Sequence, residues 1–423
     1  MPPSLWSATA PPSEDTPALQ ESLRTDVAIV GAGYTGLSTA LHLAEAGVGV
    51  CVLEASEPGW GASGRNGGQV NPSLKHDPDD IEKMLGPERG ALLNQAIHES
   101  ADDVFGLIQR HRIECSPMRR GWLQLAHSPT AVPALHGRAE QWRRRGVPTQ
   151  VLDKAATAMR VGSDAFAGAW IDPRAGSIQP LAYARGLVRA AQAAGARIHG
   201  CTLVTNLQRI GDRWQLTTTD GPRLIAEHVL IATNGYTGSL WPRLDQTVLA
   251  ANSFIVATEP LHDAAASTIL AGGETASTGQ RLLLYFRRDA QGRLLMGGRG
   301  HFADPTSPAD FQHLTRSVHL VFPQLSEVRF QYHWSGRVAI TRDFMPHVHD
   351  PAPGLTMALG YNGRGVATAT AMGKYLARRM VGRMEDFPFP VSPIRPIPLH
   401  WLERFYITAG VTWYSILDRL TKH

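Results

Sequence analysis

The sequence predicts an α/β protein in which a domain built on a parallel sheet is interleaved with an α+β domain built on an antiparallel sheet. Three observations point there. Residues 25–54, TDVAIVGAGYTGLSTALHLAEAGVGVCVLE, have the pattern of a strand, a glycine turn, a helix and a second strand. Residues from about 237 to 333 alternate apolar and polar side chains in short runs such as SFIVATEP and RLLLYFRR, as antiparallel strands do. The chain is 423 residues long with 43% apolar content, enough for two sizeable cores.

In the first unit, Val27-Ala28-Ile29-Val30 is short, apolar on both faces and rich in β-branched residues, the signature of a strand buried on both sides. After GAGYTG, the residues Leu37, Ala40, Leu41 and Ala44 recur at helical spacing, and Gly47 stops the helix. GVCVLE is then a second buried strand, ending in Glu54. The unit is Rossmann-like. Gly31 permits the tight turn, Gly33 lets a pyrophosphate approach the backbone, and Gly36 lets the helix pack closely on the strand. Tyr34 and Thr35 open the helix, whose free N–H groups and positive dipole end suit phosphate. Glu54 stands where an acid accepts hydrogen bonds from a ribose hydroxyl. A glycine motif alone would be an ordinary turn; with both strands and the acid in register it predicts a dinucleotide site, for NAD or FAD.

The following stretch, ASEPGWGASGRNGGQV (55–70), carries five glycines and few apolar side chains, so it is a loop and not the next crossover helix. Ala55, Gly61, Ala62, Ser63, Gly67 and Gly68 offer backbone N–H groups there, and Arg65, Asn66 and Gln69 add donors suited to phosphate and to flavin ring atoms. Beyond it, residues 76–150 are helical and charged, with WLQLA (122–126) as a short strand. SIQPLAYARGLVRAAQAAGARI (177–198) is an amphipathic helix with Gly195 near its end, and CTLVTNLQRIGDRWQLTTTDG leads through AEHVLIAT back to the parallel sheet. The expected organisation is a Pro-rich arm (1–22), a discontinuous nucleotide domain (23–75, 151–236 and 334–390), a substrate domain (76–150 and 237–333), and a tail packing on the body (391–423).

Charged residues make up 18% of the chain, below the usual quarter, and the net charge is +4. The clusters Arg143-Arg144-Arg145, Arg287-Arg288 and Arg378-Arg379 are short, with no long basic stripe interleaved with aromatics, so nucleic acid is not an expected partner. Three cysteines, Cys51, Cys115 and Cys201, without metal spacing fit a reducing compartment. His347 and His349 form an HxH pair, which by itself is ordinary surface or core histidine, and no metal is expected. The N-terminus lacks the apolar segment of a signal peptide and no run of 18 apolar residues occurs, so a cytoplasmic location with no transmembrane segment is expected.

The GAGYTG unit, the Glu54 strand end and GASGRNGGQ together resemble the glycine oxidase/D-amino-acid oxidase superfamily of FAD enzymes. LIATNGY (230–236) is similar to that family's second nucleotide-contact strand and turn. LVFPQLSEVRFQYHWSGRVAITRDFMPHV (320–348) resembles its proline, Trp-Ser/Thr-Gly and Thr-x-Asp-x-x-Pro pattern, and MALGYNGRGVATATAMGKYLARRMVG (357–382) its closing glycine turn and helix. The tail, PFPVSPIRPIP with WYSILDRL, resembles the γ-glutamylputrescine oxidase branch. The resemblance implies a glutathione-reductase-type FAD domain with a three-stranded β-meander, and FAD contacts at Val204, Ala232, Thr233, Asn234, Gly336, Asp343, Gly363, Arg364, Gly365 and Val366. It implies oxidation of a C–N bond, with the flavin taking the hydride equivalent at N5 from carbon beside an unprotonated amine. No Ser/His/Asp elbow or telling acid pair is present, in keeping with cofactor-borne chemistry.

Three departures refine this. Relatives that oxidise sarcosine place a lysine in the closing turn to grip the substrate carboxylate; the matching residue here is Ala367, which argues against a small α-amino acid. They tether FAD to a cysteine, and 325–346 holds none, so FAD is expected to be noncovalent. Their oxygen-activating lysine is missing from GRLLMGGRG, which leaves the electron acceptor open between O2 and another oxidant. Candidates for the catalytic and substrate site are Tyr285, Arg287, Trp334 and Tyr361, with Arg337 a further cation. The expected function is oxidation of a small-molecule amine such as a γ-glutamylated polyamine to an imine and then an aldehyde. The alternatives are an amino-acid oxidase or dehydrogenase of the same fold, with Arg287 or Arg337 holding the carboxylate, and a non-catalytic FAD-binding assembly protein.

Overall fold

A computed structural model describes residues 1–279, 283–384 and 386–402. The parallel sheet runs His347–Ala352, Leu355–Leu359, Arg223–Ile231, Leu23–Val30, Val50–Leu53, Arg197–His199. Leu23–Val30 lies at its centre, parallel to Arg223–Ile231 on one side and Val50–Leu53 on the other. Buried on both faces, it holds Ala28 and Ile29 at zero exposure, as its apolar run demands. Val204–Ile210, Arg213–Thr218 and Arg223–Ile231 form the expected antiparallel meander and hang from this sheet. The helices Tyr34–Glu45 and Gly365–Met380 cover one face, linked by the Ser38 hydroxyl, which donates to Thr370 O at 2.7 Å.

The second sheet has eight strands in the order Phe330–Thr341, Val248–Pro260, Arg293–Arg299, Tyr285–Arg288, Thr275–Thr278, Trp122–Ala126, Gly168–Asp172, Gln150–Leu152. All neighbours are antiparallel except Thr275–Thr278 with Trp122–Ala126. Its membership differs from the expected boundaries at two places. Gln150–Leu152 and Gly168–Asp172 pair with each other and with Trp122–Ala126, so the chain returns to the parallel sheet only after about residue 176. Phe330–Thr341 is not in the nucleotide sheet but forms an edge here, paired with Val248–Pro260 along nearly its whole length. The long helix Pro87–Arg110 likewise packs on Gly365–Met380, joined by Lys374 to Asp103 at 2.6 Å. Short polar-apolar alternation identifies a strand but not its sheet, which depends on partners far along the chain.

The Pro-rich arm is not a loose extension. Ser4 caps a one-turn helix, Leu5–Thr9, through a reciprocal box with Ser7. Leu5 and Trp6 are buried to 0% and 1% exposure beneath the body. In the described part of the tail, Ser392 N donates to Val348 O and Ile397 N to Gln246 O. The WYSILDRL segment lies outside the described residues. His347 bonds Asp343 at 2.9 Å and the His349 ring bonds Ser392 O at 2.7 Å, so the HxH pair is engaged with protein groups. Among the described residues no helix is long and apolar enough to cross a membrane.

Candidate active site

A cavity of about 1140 Å³ opens between the two sheets. That is more than a drug-sized ligand needs and leaves room for a dinucleotide together with a substrate. Its walls bring together Gly31, Gly33, Tyr34, Thr35, Glu54, Ala55, Gly61, Ala62, Ser63, Arg65, Asn66, Gly67, Gln69, Val204, Ala232, Thr233, Asn234, Tyr285, Gly336, Arg337, Tyr361, Gly363, Arg364, Gly365 and Val366. These residues come from several separate stretches of the sequence, and the fold gathers them at one place.

The floor is the glycine turn. Gly31 has φ +104°, open only to glycine without strain, and a Cβ on Gly36 would lie 2.0 Å from Gly31 O. Gly36 does not touch the cavity; its role is to let the helix sit on the turn. Glu54 is held beside it. One carboxylate oxygen accepts from Ala32 N (2.8 Å) and the other from Ser56 N (3.0 Å). Burial raises its pKa, opposed by those N–H groups. Each oxygen keeps acceptor capacity for a ribose hydroxyl.

The Gly-rich loop forms the next wall, and several of its side chains act differently from what their chemistry suggests. Asn66 donates its amide N–H to Ala62 O and Ser63 O and accepts from Gly68 N at 2.7 Å. Gln69 donates across to Ala276 O and Phe286 O on the second sheet. Both organise the loop more than they present donors to a ligand. Arg65 donates from Nε to Trp60 O and stacks over the Trp60 ring at 4.1 Å, with a buried Nη2 lacking a partner. Gly68 lies behind the cavity surface.

Two expected site residues are corrected. Trp334 and Arg287 do not border the cavity; they hold the loop from behind. Trp334 Nε1 donates to Arg65 O (2.9 Å), and Arg287 Nε donates to Gly67 O (2.6 Å) while its Nη2 reaches Ile178 O (2.7 Å). Between them, Trp6 Nε1 from the N-terminal helix donates to Asn66 O (2.8 Å). Three successive carbonyls are thus clamped by three remote side chains. Trp6 packs edge-on against Trp334 at 5.7 Å and lies under the Arg287 guanidinium at 5.1 Å. Burial lowers the pKa of Arg287 to about 10. The guanidinium is committed to carbonyls, so it has no free face for a substrate carboxylate. Asp343 is also off the cavity: it pairs with His347, and its own carbonyl bonds the His76 ring. Ala367, expected at the carboxylate position, is fully buried under the helix start and does not reach the wall.

Tyr285 and Tyr361 do face the space. Tyr285 is wedged between Gly67 and Gly297, where any Cβ would strike its ring at 2.6 and 2.1 Å. Its hydroxyl meets Ser253 Oγ at 2.9 Å, and burial pushes its pKa up to about 12. Tyr361 shares a 2.5 Å hydrogen bond with Thr35 Oγ1 and titrates higher than an ordinary tyrosine because it is buried. The turn that carries it is pinned by Asn362, which accepts from Thr341 N and donates to Gly360 O, and by Asn234, which accepts from Gly360 N. Arg364 immediately precedes the Gly365–Met380 helix; its guanidinium lies 4.8 Å over Trp122, its buried Nε has no partner, and burial lowers its pKa to about 10.

The glycine cradle, the acid at the second strand and the unmatched N–H of Arg364 fit FAD. The family model for FAD dependent oxidoreductases (DAO) matches residues 26–379. The chain belongs to this family of FAD-dependent oxidoreductases. Gamma-glutamylputrescine oxidoreductase of Escherichia coli (strain K12) is 34% identical over 422 residues, covering 99% of this chain and 98% of that protein. Glycine oxidase of Geobacillus kaustophilus is 28% identical over 379 residues, covering 88% and 96%. Among solved structures, glycine oxidase from Geobacillus kaustophilus matches with TM-score 0.73 at 23% identity, over 89% of this chain and 99% of that one. L-proline dehydrogenase from P. horikoshii also matches at 0.73, with 18% identity over 93% and 99%. At such identities these structures speak for the fold. The chain is thus an FAD enzyme whose relatives oxidise amines or amino acids.

Sequence reasoning missed Trp6 and the cavity-lining residues Lys75 and Arg299. Trp6 carried a weak signal, a large aromatic inside an otherwise polar arm. Lys75 carried another, a lone cation directly after the Gly-rich loop.

Proposed function

We propose that this oxidoreductase oxidises the C–N bond of an amine such as a γ-glutamylated polyamine, giving an imine that water converts to an aldehyde. End-to-end similarity to gamma-glutamylputrescine oxidoreductase carries the reading. Bound FAD supplies the acceptor for the hydride equivalent at N5. The protein's part is to position the carbon, exclude water and keep the amine neutral. Tyr285 and Tyr361 line the space with hydroxyls held protonated by burial, suited to orienting a substrate and not to removing a proton. Arg364 and the start of the last helix are candidates for the flavin oxygens. The cofactor is held noncovalently, the acceptor is O2 or another oxidant, and a place in cytoplasmic polyamine breakdown follows from the same reading.

Anaerobic stopped-flow bleaching of the flavin tests this. γ-Glutamylputrescine should reduce it with a higher second-order constant than sarcosine, glycine or proline. The similarity to glycine oxidase favours a second reading, amino-acid oxidation, and fastest reduction by sarcosine or proline would select it.

A further inference from the structure

The cavity has an uneven charge. Five cations border it, Arg65, Lys75, Arg299, Arg337 and Arg364, and among the described residues the only carboxylate on its wall is Glu54, already holding two backbone N–H groups at the nucleotide turn. Arg337 is paired with Asp304 at 3.5 Å, just off the wall. Lys75 and Arg299 belong to another part of the wall. Lys75 lies between the Gln69–Val70 strand and the Pro78–Leu85 helix, and Arg299 ends a central strand of the second sheet.

Lys75 has no hydrogen-bond or ion-pair partner among the described residues, although its backbone is fixed between buried Leu74 and His76, whose ring is anchored on Asp343 O at 2.7 Å. Its side chain is exposed and borders the cavity. Desolvation by the protein around it lowers its pKa to about 7, and Arg364, Arg299 and Arg138 push in the same direction. Arg138 is itself matched, by Asp77 and Gln124. Lys75 opens onto the cavity, and the positive field of Arg364, Arg299 and Arg138 around it favours an anion there.

We propose that Lys75, with Arg299 beside it, is the receptor for a carboxylate on the substrate, so that the enzyme selects amines that carry a carboxylate over those that do not. The assignment rests on the amine reading above. It also supplies the cation that Arg287 cannot, since that guanidinium is tied to Gly67 and Ile178 carbonyls.

The test uses the FAD-loaded enzyme and pentanoate, a carboxylate without an amine, titrated by its perturbation of the flavin spectrum. Lys75→Met should weaken pentanoate binding about tenfold or more, and Lys75→Arg should restore most of it. FAD content should stay as in the parent, and flavin reduction by uncharged-tail pentylamine should fall far less than pentanoate binding does. Pentanoate affinity of the parent should fall as pH rises from about 7 to 9, because Lys75 loses its charge there; in Lys75→Met the fall should vanish. Unchanged pentanoate affinity in Lys75→Met, or equal losses for pentanoate and pentylamine, overturns the assignment. If no amine bleaches the flavin but pentanoate binding still depends on Lys75, the function reading fails and the anion site stands.

Discussion

The glycine turn at 31–36 and the loop at 65–67 border the same cavity but are built in opposite ways. The turn is shaped by residues within six positions of one another: a positive-φ glycine, a helix start and a second glycine whose missing Cβ lets the helix descend onto Gly31 O. The loop is shaped by Trp6, Arg287 and Trp334, which reach its three carbonyls from 60, 220 and 269 positions away. A local device can be written as a motif. A remote clamp cannot, because each of its members has an ordinary local context and acquires its role only when the sheets assemble.

The largest effect expected from breaking this contrast is at the turn. Gly36→Ala places a Cβ 2.0 Å from a backbone oxygen that has no room to retreat, at an expected cost above about 3 kcal/mol. The protein should be recovered without FAD and with a melting temperature lowered by many degrees. Full flavin content at parental Tm would show that the turn is looser than its geometry.

Next comes the clamp. Arg287→Met removes the donors to Gly67 O and Ile178 O, and about 2–4 kcal/mol of stability should go with two unsatisfied carbonyls. Thermal stability and FAD affinity should both fall, while the reduction rate constant of flavin-saturated enzyme stays close to the parent's. A catalytic arginine predicts the reverse, normal Tm with a collapsed rate constant, so the two measurements together decide between positioning and chemistry.

The smallest effect sharpens the comparison most. Trp6→Phe and Trp334→Phe each delete one N–H donor and keep most of the packing, so each should cost about 1 kcal/mol. If the clamp acts as one unit, the double variant should depart from the sum of the singles by about 0.5 kcal/mol or more in denaturant unfolding. Strict additivity would mean that the three side chains hold three independent bonds.

Much of the site was legible beforehand. The strand, turn, helix and second strand appear where the apolar runs and glycines put them, with Cys51 inside the buried Val50–Leu53 strand. Tyr361 and Tyr285 border the cavity. Arg287 and Trp334 were misplaced for a physical reason. An arginine in a strand next to a predicted site has the same sequence pattern whether its guanidinium faces the ligand or turns to buried carbonyls, and only packing decides. Asn66 and Gln69 reach the cavity wall, but their amide N–H groups are spent on backbone carbonyls, a partnership that only packing reveals.

What the sequence determined by itself is whatever depends on near neighbours: the strand period, the glycine conformations, the helix start that faces phosphate, and the acid one strand later. Those terms are steric and local, and each residue carries its own constraint. The tertiary structure alone decided which strands share a sheet, where the arm of Leu5 and Trp6 docks, which cations are quenched by carbonyls, and which, Lys75 among them, are left facing an open cavity. Those outcomes depend on desolvation and on partners hundreds of residues away, so the same side chain ends as a clamp at one place and as an unpaired charge at another.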